Sequence, residues 1–279
     1  MIISRSIKSL QKQIKSLKLR NDKISLVPTM GSLHEGHLSL IKKAKGKKRI
    51  VIVSIFINPT QFGANEDLSK YPKNTSRDIN LLKEISTDIV FLPHNKEILK
   101  YKALKLKQPK LPIEKLLCGK SRPRYFPGVG KIIIKLFDII KPDYAYFGEK
   151  DYQQLYFIKQ LVKTLKFNTK IIPGKTIRDS SGLALSSRNL YLNDTQKLIA
   201  KNIICILRKT KRELLQNWNP LKIINQNKKI LIDIGVSKID YFELRSENFN
   251  KNIPKDRKCR LFIAVFIGST RLIDNIKIN

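Results

Sequence analysis

The chain is poor in acid. Its 279 residues carry 22 aspartates and glutamates against 56 lysines and arginines, a formal net charge of +34. It has three histidines, three cysteines, two methionines and one tryptophan. Cys118, Cys205 and Cys259 are scattered and make no C-x-x-C pair. That spacing offers neither a disulfide framework nor a thiolate zinc site. Unpaired cysteines fit a reducing compartment, so a cytoplasmic protein is expected. No apolar run approaches the roughly 20 residues that a membrane span needs. No signal peptide is expected at the N-terminus; Ile7, Leu10, Ile14 and Leu17 instead repeat at the spacing of a packed first helix. The positive charge is not gathered into an arm. Lysines are spread through nearly every segment among Ile and Asn, with no RNP-like, zinc-finger or helix-turn-helix signature. No specific nucleic-acid partner is expected. Weak, salt-sensitive binding to nucleic acid would be a by-product of this field, which would also steer anionic substrates inward.

What is present begins with Val27–His37, V-P-T-M-G-S-L-H-E-G-H. An apolar strand over 24–27 runs into Pro28 and a turn at Gly31, and a helix-like stretch follows over 38–44. His34 and His37 therefore stand where a strand hands over to a helix. Backbone N–H groups at a helix start lack partners and favour anions. Neutral imidazoles there can donate to phosphate oxygens and support charge that develops in phosphoryl or nucleotidyl transfer. Gly36 lets a ligand approach the main chain. A zinc site would need further ligands, and the only other histidine is His94, which reads as a loop residue after a strand end. A polar helix start with no ligand is the plainer alternative.

Along the chain, 50–57 is apolar on both alternations, as a parallel strand buried on two faces must be. The loop Asn58-Pro59-Thr60-Gln61-Phe62-Gly63 ends it. A helix is expected over 77–85, a short strand over 88–92, and a basic surface excursion over 94–112. Residues 121–128 read as a turn-rich loop, 132–140 as a buried helix, and 143–147 as a strand ending in Gly148-Glu149-Lys150-Asp151. A helix over 155–165 and a short strand over 170–172 follow. Strands alternating with helices imply a right-handed parallel α/β sheet, with ligands beyond its carboxyl edge. Lys150 suits polyphosphate, and Asp151 suits a ribose hydroxyl or a helix cap. Ser186, Ser187 and Arg188 can wrap a triphosphate, or form an ordinary polar loop. Two long helices are expected over 195–218 and 221–232. Strands over 239–244, 260–267 and 271–276 then form an antiparallel sheet. Two domains are expected, 1–175 and 176–279.

These residues lead to a family. The chain resembles the pantothenate synthetase (pantoate–β-alanine ligase) family over nearly its whole length. The resemblance rests on Val27–His37, V-S-I-F-I-N-P-T-Q-F-G over 53–63, F-G-E-K-D-Y-Q-Q-L over 147–155, 182–189 and T-R-L-I-D-N over 270–275. The His-x-Gly-His element alone would indicate only the wider nucleotidyltransferase superfamily. The resemblance implies a Rossmann-like ATP- and pantoate-binding N-terminal domain with a smaller α+β C-terminal lid. It implies a homodimer, magnesium with ATP, and two steps: ATP and pantoate give pantoyl adenylate, then β-alanine displaces AMP. By position, Met30, Gly31, Ser32, Leu33, His34, Glu35, Gly36 and His37 line the ATP site, and His37 matches the proton donor. Gly148, Glu149, Lys150 and Asp151 match the nucleotide loop, with Lys150 on phosphate. Ile177 matches a backbone contact to adenine, and Leu185, Ser186, Ser187 and Arg188 the phosphate-closing segment. Gln61 and Gln154 match the pantoate-binding glutamines. No metal ligand is assigned beyond the ATP phosphates; Asp78 and Gln154 stay open for that role. The chain departs from the family pattern at Cys118, Arg124, Tyr125, Lys131 and Ser181; all but the last border the acid substrates, which implies slower turnover. Two other function classes stand beside this one. An adenylyltransferase for another acid would require the two glutamine matches to be coincidental. A non-catalytic basic nucleic-acid-binding protein would show salt-resistant, sequence-selective binding.

Overall fold

A computed structural model of the chain describes residues 1–18, 22–64, 66–103, 107–250, 253 and 258–279. The chain separates into two units: Met1–Glu149 with Gln153–Lys175, and Lys150–Tyr152 with Thr176–Asn279.

The first unit is built on a six-stranded parallel sheet. In chain order its elements are β1 (Ile2–Ser4), α1 (Ile7–Lys18), β2 (Lys23–Thr29), α2 (Glu35–Ala44), β3 (Arg49–Ile55), α3 (Thr75–Glu84), β4 (Ile89–Phe91), α4 (Asn95–Lys100), α5 (Leu117–Ser121), α6 (Tyr125–Ile140), β5 (Tyr144–Gly148), α7 (Tyr152–Thr164) and β6 (Lys170–Gly174). The strand order is β1-β4-β3-β2-β5-β6. Val27 pairs with Val53 across β2 and β3, and Leu26 with Ala145 across β2 and β5. Val51, Val53 and Ile52 are all fully buried, so β3 is covered on both faces, as its double apolar alternation requires. The connection after β2 runs to β3 on one side, and the connection after β5 runs to β6 on the other. The carboxyl ends of β2 and β5 therefore flank a topological switch point, where open α/β sheets bind their ligands.

Three features differ from expectation. β1 is an extra edge strand, pairing in parallel with β4 from Ile2↔Ile89 to Ser4↔Phe91. Residues 125–128 are not loop but the first turn of α6. Pro127 is tolerated there because first-turn N–H groups have no intrahelical partner to lose. The excursion over 94–112 contains α4, with His94 at its N-cap position and no side-chain cap bond; 104–106 lie outside the described residues.

The second unit carries α8 (Asp194–Ala200), α9 (Asn202–Gln216) and α10 (Pro220–Asp233), then β7 (Lys238–Ser246), β8 (Cys259–Ile267) and β9 (Thr270–Lys277). The strands form an antiparallel sheet in the order β7-β8-β9, with a tight turn at Gly268, whose φ is 57°. Its core is a separate apolar cluster that includes Leu207, Leu214, Leu231, Phe242, Leu261 and Val265. The single helix expected over 195–218 is instead two, broken at Lys201. No proline or glycine marks that break. Among the described residues, no helix is long and apolar enough to cross a membrane.

Candidate active site

The turn from β2 to α2 is held from a distance. Gly31 (φ 80°) and Ser32 (φ 50°) both adopt left-handed backbone. The N–H groups that follow, those of Ser32 and Leu33, converge on one carboxylate. Asp78, on α3 and 1% exposed, accepts from the Ser32 and Leu33 N–H groups at 2.8 Å each. Arg77 Nη1 donates to the Leu33 carbonyl at 3.1 Å. A Cβ on residue 31 would lie 3.0 Å from Asp78 Oδ2 and 3.1 Å from Ile55, so glycine is required for space as well as for φ. Burial pushes the Asp78 carboxyl above its ordinary value, with the two backbone N–H groups and Arg77 pulling it back down. Both of its oxygens thus hold the turn.

The two histidines stand at the start of α2. His34 is the N-cap, and its Nδ1 accepts from the Gly36 N–H at 3.1 Å. His37 Nδ1 accepts from the His34 N–H at 3.4 Å, closing a reciprocal cap. The rings lie 4.1 Å apart, tilted by 37°. With Nδ1 accepting, each neutral ring carries its proton on Nε2. Both rings thus turn Nδ1 toward the backbone of the turn. Glu35, between them, is largely exposed and 3.9 Å from Lys42, where it complements the helix dipole.

Gln61 sits in the short 3-10 turn Pro59–Gln61 after β3, and is buried. Its Oε1 accepts from Asn58 Nδ2 at 3.1 Å, and its Nε2 donates to Met30 Sδ at 3.0 Å. Asn58 also donates to the Gly128 carbonyl at 3.1 Å. A Cβ on residue 128 would come within 2.5 Å of the Gln61 backbone, so Gly128 is what lets α6 brace this loop. Gln154 is engaged from α6: Tyr125 Oη donates to its Oε1 at 2.6 Å. Arg122 lies over the Tyr125 ring, 4.2 Å from its centroid, and pairs with Glu66. The departures at 124 and 131 are exposed positions, and Cys118 N–H donates to Gln153 Oε1 at 3.0 Å. Gly148 ends β5, and a Cβ there would meet nothing within 4 Å.

Of the remaining sequence-predicted residues, Glu149 belongs to the first unit and the others to the second. Lys150 and Asp151 lie 4.0 Å apart. The Ile177 carbonyl accepts from the Leu185 N–H at 3.0 Å, and Arg178 bridges to Ala184. The turn between them is tied by Asp179 Oδ1, which accepts from Ser181 N–H, Ser181 Oγ and Leu183 N–H. Ser186 caps the 3-10 turn Ser187–Tyr191 by accepting from the Arg188 N–H at 3.3 Å, and Ser187 is buried. Within the first unit, contacts link Met30 to Gln61, His34 to His37 and Gln154 to Tyr125. Sequence reasoning missed Asn58, Gly128, Asp274 and Asn275 as supports of these segments. For Gly128 the only local signal was a glycine inside what reads as a turn. Among the described residues, no group of three or more His, Cys, Asp or Glu side chains is placed to hold a metal ion.

Comparison with known proteins decides between the open readings. The family model described as pantoate-beta-alanine ligase matches residues 2–277. The chain belongs to the pantoate-beta-alanine ligase family. Members of this family condense pantoate with beta-alanine. The chain is 46% identical over 286 residues to the pantothenate synthetase of Buchnera aphidicola subsp. Acyrthosiphon pisum (strain 5A), covering 100% of this chain and 99% of that one. It is 41% identical over 254 residues to the pantothenate synthetase of Thermosipho africanus, covering 91% of each. The crystal structure of pantothenate synthetase from Thermus thermophilus matches with a TM-score of 0.91 at 31% identity, over 100% of this chain and 99% of that one. The pantoate-beta-alanine ligase of Francisella tularensis, complexed with beta-gamma ATP and beta-alanine, matches with a TM-score of 0.84 at 42% identity, over 99% and 97%. The ligase family thus accounts for the parallel sheet and the smaller antiparallel sheet together.

Proposed function

We propose that this chain makes pantothenate from pantoate, beta-alanine and ATP through a pantoyl adenylate, in the cytoplasm and as a homodimer. The observation that carries the reading is the imidazole pair at the start of α2, each ring turned with Nδ1 to the backbone, at the end of a strand that flanks the switch point of the sheet. In the first step the pantoate carboxylate attacks the α-phosphorus. The bond from that phosphorus to the bridging oxygen breaks, and pyrophosphate leaves with the electron pair. Charge grows on the phosphate oxygens, where His34 and His37 meet it; donors aimed at developing charge of this kind contribute about 10²–10³ in rate. In the second step the beta-alanine amine attacks the acyl carbon. The acyl–oxygen bond breaks, AMP leaves with the pair, and the nitrogen sheds a proton. No side chain need act as a covalent nucleophile, because the substrate carboxylate is the nucleophile.

Met30 to His37, Gly148 and Glu149 are assigned to ATP. Lys150 and the Ser186–Arg188 run are assigned to its phosphates, Asp151 to ribose and the Ile177 backbone to adenine. Gln61 and Gln154 are assigned to pantoate. With their Oε1 atoms already accepting, both glutamines offer N–H donors, which suit a carboxylate and a hydroxyl oxygen. Magnesium enters with ATP as part of the substrate, since octahedral Mg²⁺ needs few protein ligands when phosphates supply oxygens. The test uses pantoate labelled with ¹⁸O in its carboxylate. The reading expects one label in the AMP released with beta-alanine; AMP without label would exclude an acyl adenylate.

A further inference from the structure

Two adjacent buried polar residues on β9, Asp274 and Asn275, serve no core purpose that an apolar side chain would not serve better. Asp274 is 5% exposed and Asn275 4%. Burying polar groups is costly unless they are paired, and these two pair with separate segments. Asp274 takes the Arg178 guanidinium in a bidentate pair, at 2.6 Å to Nη1 and 2.9 Å to Nη2. Arg178 Nη1 also donates to the Gly182 carbonyl at 3.1 Å. The pair therefore clamps the base of the turn that leads into Leu185–Arg188. Asn275 Nδ2 donates to the Lys150 carbonyl at 2.9 Å. Its Oδ1 accepts from Arg260 Nη1 at 2.5 Å, and the Arg260 guanidinium lies 4.1 Å over the Tyr152 ring. Tyr152 in turn packs against Phe262 and Phe249. The Asn275 N–H donates to Asp274 Oδ1 at 2.7 Å, tying the two residues to each other.

We infer that Asp274 and Asn275 form a positioning pair that sets both phosphate-binding segments of the second unit from one point on β9. The inference rests on the assignment of Lys150 and Ser186–Arg188 to ATP phosphates. Neither residue touches substrate. Asp274 acts through Arg178 on the turn before Ser186, and Asn275 acts through the Lys150 carbonyl on the Lys150 ammonium. A bidentate arginine and a two-way amide are rigid connectors, and rigidity is what a group that must meet a phosphate to within a fraction of an ångström requires.

The test is ATP titration by calorimetry together with steady-state kinetics on the full chain. Asn275→Asp is close to isosteric and keeps the Arg260 partner, but it replaces the donor facing the Lys150 carbonyl by an acceptor. ATP affinity and KM for ATP are expected to weaken about tenfold, the weight of one hydrogen bond, with KM for pantoate moving less than about twofold. Asn275→Ala, a second variant, is expected to weaken ATP to at least the same degree. In a Lys150→Ala background the effect of Asn275→Asp is expected to shrink to less than about threefold, because the group being positioned is gone. Unchanged ATP affinity in Asn275→Asp overturns the inference. So does an undiminished effect in the Lys150→Ala background, which would mark a general loss of packing. Wild-type chain that binds ATP but releases no pyrophosphate with pantoate would defeat the proposed function and leave the titration to judge the pair. Wild-type chain that binds no ATP would defeat both.

Discussion

Replacing Asp78 by alanine isolates the contact on which the β2–α2 turn depends. The carboxylate satisfies two buried backbone N–H groups, those of Ser32 and Leu33, and it faces a serine held at φ 50°. Leaving a buried donor without a partner costs about 1–3 kcal/mol, so two cost about 2–6 kcal/mol. Removing a desolvated carboxylate returns part of this, since its raised pKa records a penalty for the ionised form. A net loss of about 2–4 kcal/mol is expected, a large share of the roughly 5–15 kcal/mol by which domains are stable. The pH dependence has a definite sign. The folded chain holds the Asp78 proton more tightly than the unfolded chain does. Wild type therefore gains stability relative to the alanine variant as pH falls through the raised value, and loses that gain as pH rises through it. Urea unfolding at several pH values gives the difference, and hydrogen exchange at the Ser32 and Leu33 amides gives its location. Unchanged protection at those two amides, with stability within about 0.5 kcal/mol of wild type, would refute the reasoning.

Other perturbations follow the same logic. Gly128→Ala puts a methyl within 2.5 Å of the Gln61 backbone, and overpacking of this kind costs about 1–3 kcal/mol. KM for pantoate should rise in that variant while calorimetric ATP affinity holds. Tyr125→Phe removes the 2.6 Å bond that orients the Gln154 amide, so KM for pantoate should rise by up to about tenfold with kcat little changed. An unchanged KM would free Gln154 of that control. Burial, with help from the 2.8 Å bond to Asp138, pushes the Tyr101 phenol up to about 12 from 10.0. Tyr101 therefore contributes stability below its unfolded value and loses it as pH climbs toward 12. A melting series across that window should show a steeper alkaline fall for wild type than for Tyr101→Phe.

How much of this was legible in the sequence depends on the distance over which each feature is decided. β3 could be read because both of its faces are apolar from Ile50 to Val53, and α2 because a strand, a glycine turn and a polar cap precede it. β1 spans only three residues at the sheet edge and carries no alternation to read. The break at Lys201 was hidden because the apolar periodicity continues through Ile199, Ile203 and Ile206. Pro127 and Gly128 read as turn residues, yet a helix start accepts the one and a close approach demands the other. The histidine turn announced itself locally. What holds it did not: Asp78 lies 46 residues away from Ser32, and nothing in α3 distinguishes it from any first-turn acid. The supports of Lys150 and Arg178 come from still farther along the chain, 125 and 96 residues on.

The most direct measurement is single-turnover release of pyrophosphate from ATP and pantoate, compared between wild type and His37→Ala. The account predicts prompt release by wild type, and release slowed by about 10²–10³ in a variant whose circular dichroism and melting temperature match wild type. Release at the wild-type rate from folded His37→Ala would contradict it.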